Sequence, residues 1–405
     1  MPYSFSMLDA SNFLWLLLPV AAASGWLAAK ADQKRRGINS SRDLPSAYFM
    51  GLNFLLNQQP DEAIEVFIKV LEADTATVET HLALGNLFRR RGEVERAIRI
   101  HQSLISRPTL DKFQRSQALL ELGQDYLKAG LLDRAENLFQ ELVQIRLQTD
   151  AALHFLVQIY QQEKEWHKAI VASRKLARTS GKSQGAVIAQ FYCELAGQLI
   201  AGRDFTSARR HLAHALTYHP PCVRASLLLG QLESLDGKDR EAIKAWKCIE
   251  AQDPHYLGEV ANDIAASYKR LNDESGLYEY FSGVLQRHGD VVVMLAMADI
   301  IRHREGLEAA ENFVTMWLRI QPSVHGLHRL IELNLSTADS AHRSDLALLH
   351  GIIERLVAQQ RGYVCLQCGF RGSSLHWQCP GCQRWNSLKP VTHTMETTEE
   401  NMHHA

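Results

Sequence analysis

Four cysteines near the carboxy-terminal end, Cys365, Cys368, Cys379 and Cys382, form two Cys-x-x-Cys pairs with ten residues between Cys368 and Cys379. A Cys-x-x-Cys turn puts two sulfurs on one side of a tight loop. Two such turns facing each other offer the four thiolates of a tetrahedral metal site. Gly369 follows the first pair, where a knuckle takes positive φ and its backbone N–H can reach a thiolate. Two disulfides, or a redox Cys-x-x-Cys, are the competing chemistries. Spacing does not separate zinc from iron, since both accept four thiolates in a tetrahedron. Metal-binding thiolates persist in a reducing compartment, which puts this end of the chain in the cytosol.

The remaining reactive groups form no catalytic constellation, and no enzyme activity is expected. Gly181-Lys182-Ser183 has the look of the end of a phosphate loop, but the earlier glycine it needs falls on Leu176. His325 and His328 share a helix face without an HExxH frame and read as surface or capping residues. His376 and His393 flank the knuckles and could replace a sulfur, although four cysteines are already present. Cys193, Cys222 and Cys248 stand singly in helical sequence and read as buried small hydrophobes.

The elements that must position the knuckles repeat along the chain. Between residues 44 and 360 a small residue is followed by an aromatic three later, an Ala nine beyond that, and a bulky residue four further. Gly51, Phe54, Ala63 and Phe67 fit first; Gly85, Phe88, Ala97 and His101 follow thirty-four residues on. Gly123, Tyr126, Ala135 and Phe139 come thirty-eight later, the extra four falling near Arg107-Pro108. Units on Val157, Ala196 and Gly230 continue the series, with Pro220 and Pro254 closing the fifth and sixth. This period and pattern are the tetratricopeptide signature. Small residues at the first and third marks let two antiparallel helices approach, while the second and fourth fill the gap to the next pair. Gly92, Gly130 and Gly237 fall in the turns, where a helix end wants a left-handed residue.

Beyond Tyr256 the marks weaken but helical periodicity continues, through Ala265 and Tyr268, then Met297 to Phe313. Stretches 324–335 and 344–359 make a last pair. About nine helix pairs would stack into a right-handed superhelix with a concave face. Asn86, Arg89, Arg90 and Lys128 are candidate groove residues for a protein client, against the alternative of a solvated face.

Ahead of the repeats, residues 13–29 read FLWLLLPVAAASGWLAA, seventeen residues without a charge. Taken from Ala10, the stretch makes about 30 Å of helix, enough to span a bilayer core. Lys30, Lys34, Arg35, Arg36 and Arg42 follow it, and only Asp9 precedes it. The positive-inside rule leaves a short amino terminus outside and the rest in the cytoplasm. A cleaved signal peptide, suggested by Ala21-Ala22-Ala23, would need its positive charge before the apolar run. The expected organisation is an anchor over 10–29, a basic linker over 30–43, repeats over 44–360, a metal-binding domain over 361–390 and a disordered tail over 391–405. With 44 basic and 45 acidic side chains, the formal net charge of -1 argues against a nucleic-acid partner.

This order of parts resembles the lipopolysaccharide assembly protein B family of Gram-negative bacteria. LGNLFRRRGEVERAIRIHQSLI from Leu84 resembles that family's second repeat, and LLLPVAAA from Leu16 resembles its anchor. Cys365 to Trp385 matches its closing CxxCGF…WxCPxCxxW pattern, with Trp377 and Trp385 as its aromatics. The resemblance implies an all-α tetratricopeptide solenoid with an N-terminal transmembrane helix and a small rubredoxin-like domain holding one Zn or Fe ion. It implies a single-pass protein of the bacterial inner membrane with a periplasmic amino terminus. It further implies an adaptor working with an FtsH-type AAA+ membrane protease to degrade the deacetylase that commits precursors to lipid A. Other lipopolysaccharide assembly proteins would be partners, and a further inner-membrane protein would restrain the adaptor. With iron in the same site, a rubredoxin-like electron carrier is the alternative; a general membrane-tethered assembly chaperone is another. The metal is expected to lock the knuckle domain onto the last helix pair.

Overall fold

A computed structural model describes residues 46–57, 59, 62–63, 65–66, 78–336, 340–359 and 362–391. The expected anchor, basic linker and tail beyond Val391 lie outside the described residues. Among the described residues, no helix is long and apolar enough to cross a membrane. The chain forms two compact units, one ending at Ala152 and one beginning at Leu153.

The first unit contains α1 (Ser46–Leu56), α2 (Val78–Arg91), α3 (Val94–Ile105), α4 (Lys112–Lys128) and α5 (Leu132–Gln144). α2 packs against α3 and α4 against α5, each pair a helical hairpin. The repeat marks explain how close they come. A Cβ at Gly85 would stand 2.3 Å from the His101 ring, and one at Gly123 would stand 2.5 Å from that of Phe139. The bulky fourth mark therefore presses onto the first mark of its own hairpin, where the sequence placed it in the gap to the next. α4 opens with a reciprocal cap: Gln114 N–H donates to Asp111 at 2.7 Å, and Asp111 N–H to the Gln114 side chain at 3.3 Å.

The second unit takes in α6 (Thr149–Gln162) from Leu153 onward and repeats the hairpin device. It continues with α7 (Trp166–Ser180), α8 (Gly185–Ala201), α9 (Phe205–Tyr218), α10 (Val223–Leu235) and α11 (Asp239–Gln252). A 3₁₀ turn, Pro254–Tyr256, leads into α12 (Leu257–Arg270), followed by α13 (Glu274–His288), α14 (Val291–Glu305) and α15 (Leu307–Ile320). α16 (Val324–Leu335) and α17 (Ser340–Gln359) form the last hairpin. Gly230 lies under Trp246 as Gly123 lies under Phe139. Gly92, Gly130 and Gly237 take φ of 85°, 76° and 76° in the inter-helix turns, as expected. Lys164, Arg203 and Asn272 hold the same left-handed station at 59°, 59° and 53° without being glycine. The clash this imposes on a Cβ costs about 1 kcal/mol at each.

Residues 363–390 make a three-stranded antiparallel ribbon in the order β2 (Arg371–Gly372), β1 (Tyr363–Cys365), β3 (Leu388–Pro390). Val364 faces Arg371 on one side and Lys389 on the other.

Candidate metal centre and its seat

Two turns of the ribbon build the sulfur site. In the first, Gly369 N–H donates to Cys365 O at 2.9 Å, and in the second Gln383 N–H donates to Cys379 O at 2.8 Å. The residue after each pair is left-handed, Gly369 at φ 72° and Gln383 at 57°. Gly369 was legible as such; Gln383 was not, because glutamine carries no sign of it.

The four Sγ atoms converge within 4.8 Å of one another. Cys365 and Cys382 lie 3.7 Å apart, as do Cys368 and Cys379. Tetrahedral ligands at a metal–sulfur distance of about 2.3 Å stand about 3.8 Å apart, whereas a disulfide needs about 2.05 Å. The donor set fits one metal ion in a four-Cys site. Burial alone would raise the Cys365 thiol, but Ser387 and the N–H groups of Gln367 and Cys368 bring it down to about 6. At Cys368 the Phe370 N–H favours thiolate, yet desolvation and the three neighbouring thiols outweigh it and push the group up to about 12. Thiols this close hinder ionisation at Cys368. A cation removes that obstacle. His376 is exposed and lies 3.1 Å from Ser374 Oγ, outside the cluster, and His393 is beyond the described residues.

The seat of this ribbon differs from the expected last hairpin. It rests on α6, α7, α8, α10, the 3₁₀ turn and the start of α12. Trp385 meets Trp166 and Phe191 edge-on, with ring centroids 6.3 and 6.0 Å away, and its indole N–H donates to Gln161 at 2.6 Å. Trp377 stacks on Tyr256 at 5.6 Å. Arg224 lies 5.8 Å from both tryptophan rings and donates to Glu194 at 2.8 Å, so its charge is paired while its face is covered. The Tyr256 hydroxyl donates to Leu388 O at 2.6 Å, and the Tyr363 hydroxyl to Glu259 at 2.5 Å. Burial pushes both phenols up. Lys389 sits over the Tyr256 ring and pairs with Asp253. The physical reason is where aromatic area lies: Trp166, Phe191 and Tyr256 offer rings to Trp377 and Trp385. α17 instead presents exposed Leu348, Leu349, Ile352 and Leu356.

The candidate groove residues are divided between internal bonding and exposure. Arg89 pairs with Glu121 at 2.6 Å and Asp125 at 2.8 Å, and donates to Asn86 at 2.7 Å. Asp125, fully buried, also holds His101 Nδ1 at 2.5 Å. Arg90 and Lys128 are exposed. Of the single cysteines, Cys193 and Cys222 are buried against each other, whereas Cys248 is exposed and contradicts the buried reading; its thiol donates to Lys244 O at 3.3 Å, back-bonding within the helix. Gly181 closes α7 in a left-handed cap at φ 68°, which accounts for the glycine of Gly181-Lys182-Ser183.

Known proteins match the chain in parts and as a whole. The rubredoxin metal binding domain family covers residues 363–390, and tetratricopeptide repeat families cover 80–115 and 194–247. Lipopolysaccharide assembly protein B of Escherichia coli strain K12 is 36% identical over 94% of this chain and 98% of its own length. The protein of that name from Haemophilus influenzae shows 36% identity over the same shares. Among solved structures, part of a TPR repeat-containing protein from Cytophaga hutchinsonii gives a TM-score of 0.37 at 15% identity, covering 68% of this chain and 96% of that one.

Proposed function

The chain belongs to the lipopolysaccharide assembly protein B family, and from that premise we propose that it regulates lipopolysaccharide assembly as a non-catalytic adaptor. It acts by bringing the deacetylase that commits precursors to lipid A to an FtsH-type membrane protease. The observation that carries this reading is identity running through nearly the whole chain, repeats and ribbon together. Stacked tetratricopeptide hairpins expose long surfaces suited to binding proteins. The apolar run at 13–29 would anchor the molecule in the inner membrane with its bulk cytoplasmic, raising the local concentration of client at the protease. Arg90 and Lys128, exposed on the first helices of two hairpins, are proposed client contacts; Arg89 and Asn86 would act by setting the first of those helices.

In cells lacking their own family member, this chain should restore rapid turnover of the deacetylase. A version without residues 1–29 should not, and one with an unrelated membrane helix should. Deacetylase half-life followed after blocking synthesis reads this out; a half-life unmoved by the intact chain would overturn the adaptor reading.

A further inference from the structure

A second group of metal-ligating side chains stands on the last hairpin, apart from the sulfurs. His328 and Glu332 are one turn apart on α16, and His350 meets them from α17. One imidazole nitrogen from each histidine and a carboxylate oxygen of Glu332 all lie within 4.8 Å of one another. The two rings are 4.6 Å apart between centroids. His328 Nε2 is buried and has no hydrogen-bond partner. A buried imidazole nitrogen left so carries a desolvation cost that a bound cation would remove.

We propose that His328, Glu332 and His350 bind one divalent transition-metal ion of the zinc class, clamping α16 to α17. The donor set of two imidazoles and one carboxylate suits zinc, cobalt or nickel. The i, i+4 spacing presents His328 and Glu332 on one face of α16 before any ion arrives. Bound to one ion at about 2.1 Å, ligand atoms stand about 3.4 Å apart, so modest side-chain rotation closes the site. Arg329 donates to Glu332 Oε2 at 2.8 Å and also pairs with Asp299, so its charge is shared between two carboxylates. The Glu332 carboxylate has a second oxygen to offer the ion. Three protein ligands leave a fourth position open for water or a partner's side chain.

Cobalt(II) separates this site from the sulfur site, because thiolate ligation gives intense charge-transfer absorption and imidazole–carboxylate ligation only weak visible bands. Full-length chain in detergent, with its four-Cys site first filled with zinc, should take up one further equivalent of cobalt with the weak bands alone. His350→Gln and Glu332→Gln should each weaken that uptake by 10-fold or more, while His342→Gln, exposed on the same helix, should not. Retained zinc and helical circular dichroism show that each variant is folded; should His350→Gln fail this check, Glu332→Gln decides. No further equivalent in the unaltered chain would overturn the proposal. So would an equivalent that survives the folded variants.

Discussion

Trp385 joins the metal ribbon to the helices by three contacts at once: two aromatic edges and an indole hydrogen bond. Its truncation to Ala removes apolar area and leaves the Gln161 side chain without its donor. A cost of roughly 3 kcal/mol is expected, taken from docking and not from metal binding. Hydrogen exchange should speed up in β1 and β3 while the four-Cys site keeps its metal ion. Loss of the metal with the contact would refute that separation. At this scale the sulfurs were legible because metal chemistry fixes both residue type and spacing. Their seat was not, because Trp166, Phe191 and Tyr256 look in sequence like ordinary core residues. Nor was the His328–His350 meeting legible, since it joins two helices.

Among the elements, the hairpin is the repeating device, and its tolerance is set where a ring lies on a glycine. Gly123→Ala should destabilise the first unit by about 1–3 kcal/mol from overpacking against Phe139, despite up to about 1 kcal/mol gained in helix propensity. Adding Phe139→Leu should recover part of the loss; equal and additive effects in denaturant unfolding would show that the two residues do not touch. Between hairpins, polar links add to the apolar core that successive pairs share. Arg270 of α12 grips both carboxylate oxygens of Asp239 on α11 at 2.6–3.1 Å and holds that carboxyl below its usual range. A depressed carboxylate stabilises the fold above its unfolded value near 4 and loses that contribution as pH falls through the lowered one. Asp239→Asn should therefore cost under about 1 kcal/mol at neutral pH, since Arg270 is half exposed. The gap from the unaltered protein should close below pH 4 when urea midpoints are compared, and a gap independent of pH would exclude the pair as its source. The repeat marks foretold which helices pair, because their period is imposed by packing. They did not foretell left-handed Lys164, Arg203 and Asn272, which hold a glycine's station without being glycine.

Over the whole molecule, the sulfur-bound ion bears on more than the ribbon. Structural zinc supplies apparent stabilisation of about 10–16 kcal/mol to small modules of this kind, and here the module lies across α6 to α12. Cys365→Ser with Cys368→Ser should leave the ribbon unfolded and speed hydrogen exchange in α8 and α10. On the adaptor reading proposed above, it should abolish client turnover while any membrane attachment through residues 13–29 persists. Full turnover by a metal-free double variant would remove the ion from the mechanism.

The bonds that seat the ribbon also close large loops. Trp385 and Gln161 are 224 residues apart in the chain, and Leu388 and Tyr256 are 132 apart. Stacked repeats otherwise touch only their neighbours and can form one after another as the ribosome releases them. The ribbon is made after every hairpin it covers and must find them across long stretches of chain, a slow kind of closure. The ribbon can therefore dock only after the helices that seat it have been made. A polypeptide released before Tyr363 would carry finished repeats with Trp166, Phe191 and Tyr256 unshielded, a surface by which quality-control proteases could tell an incomplete copy from a finished one.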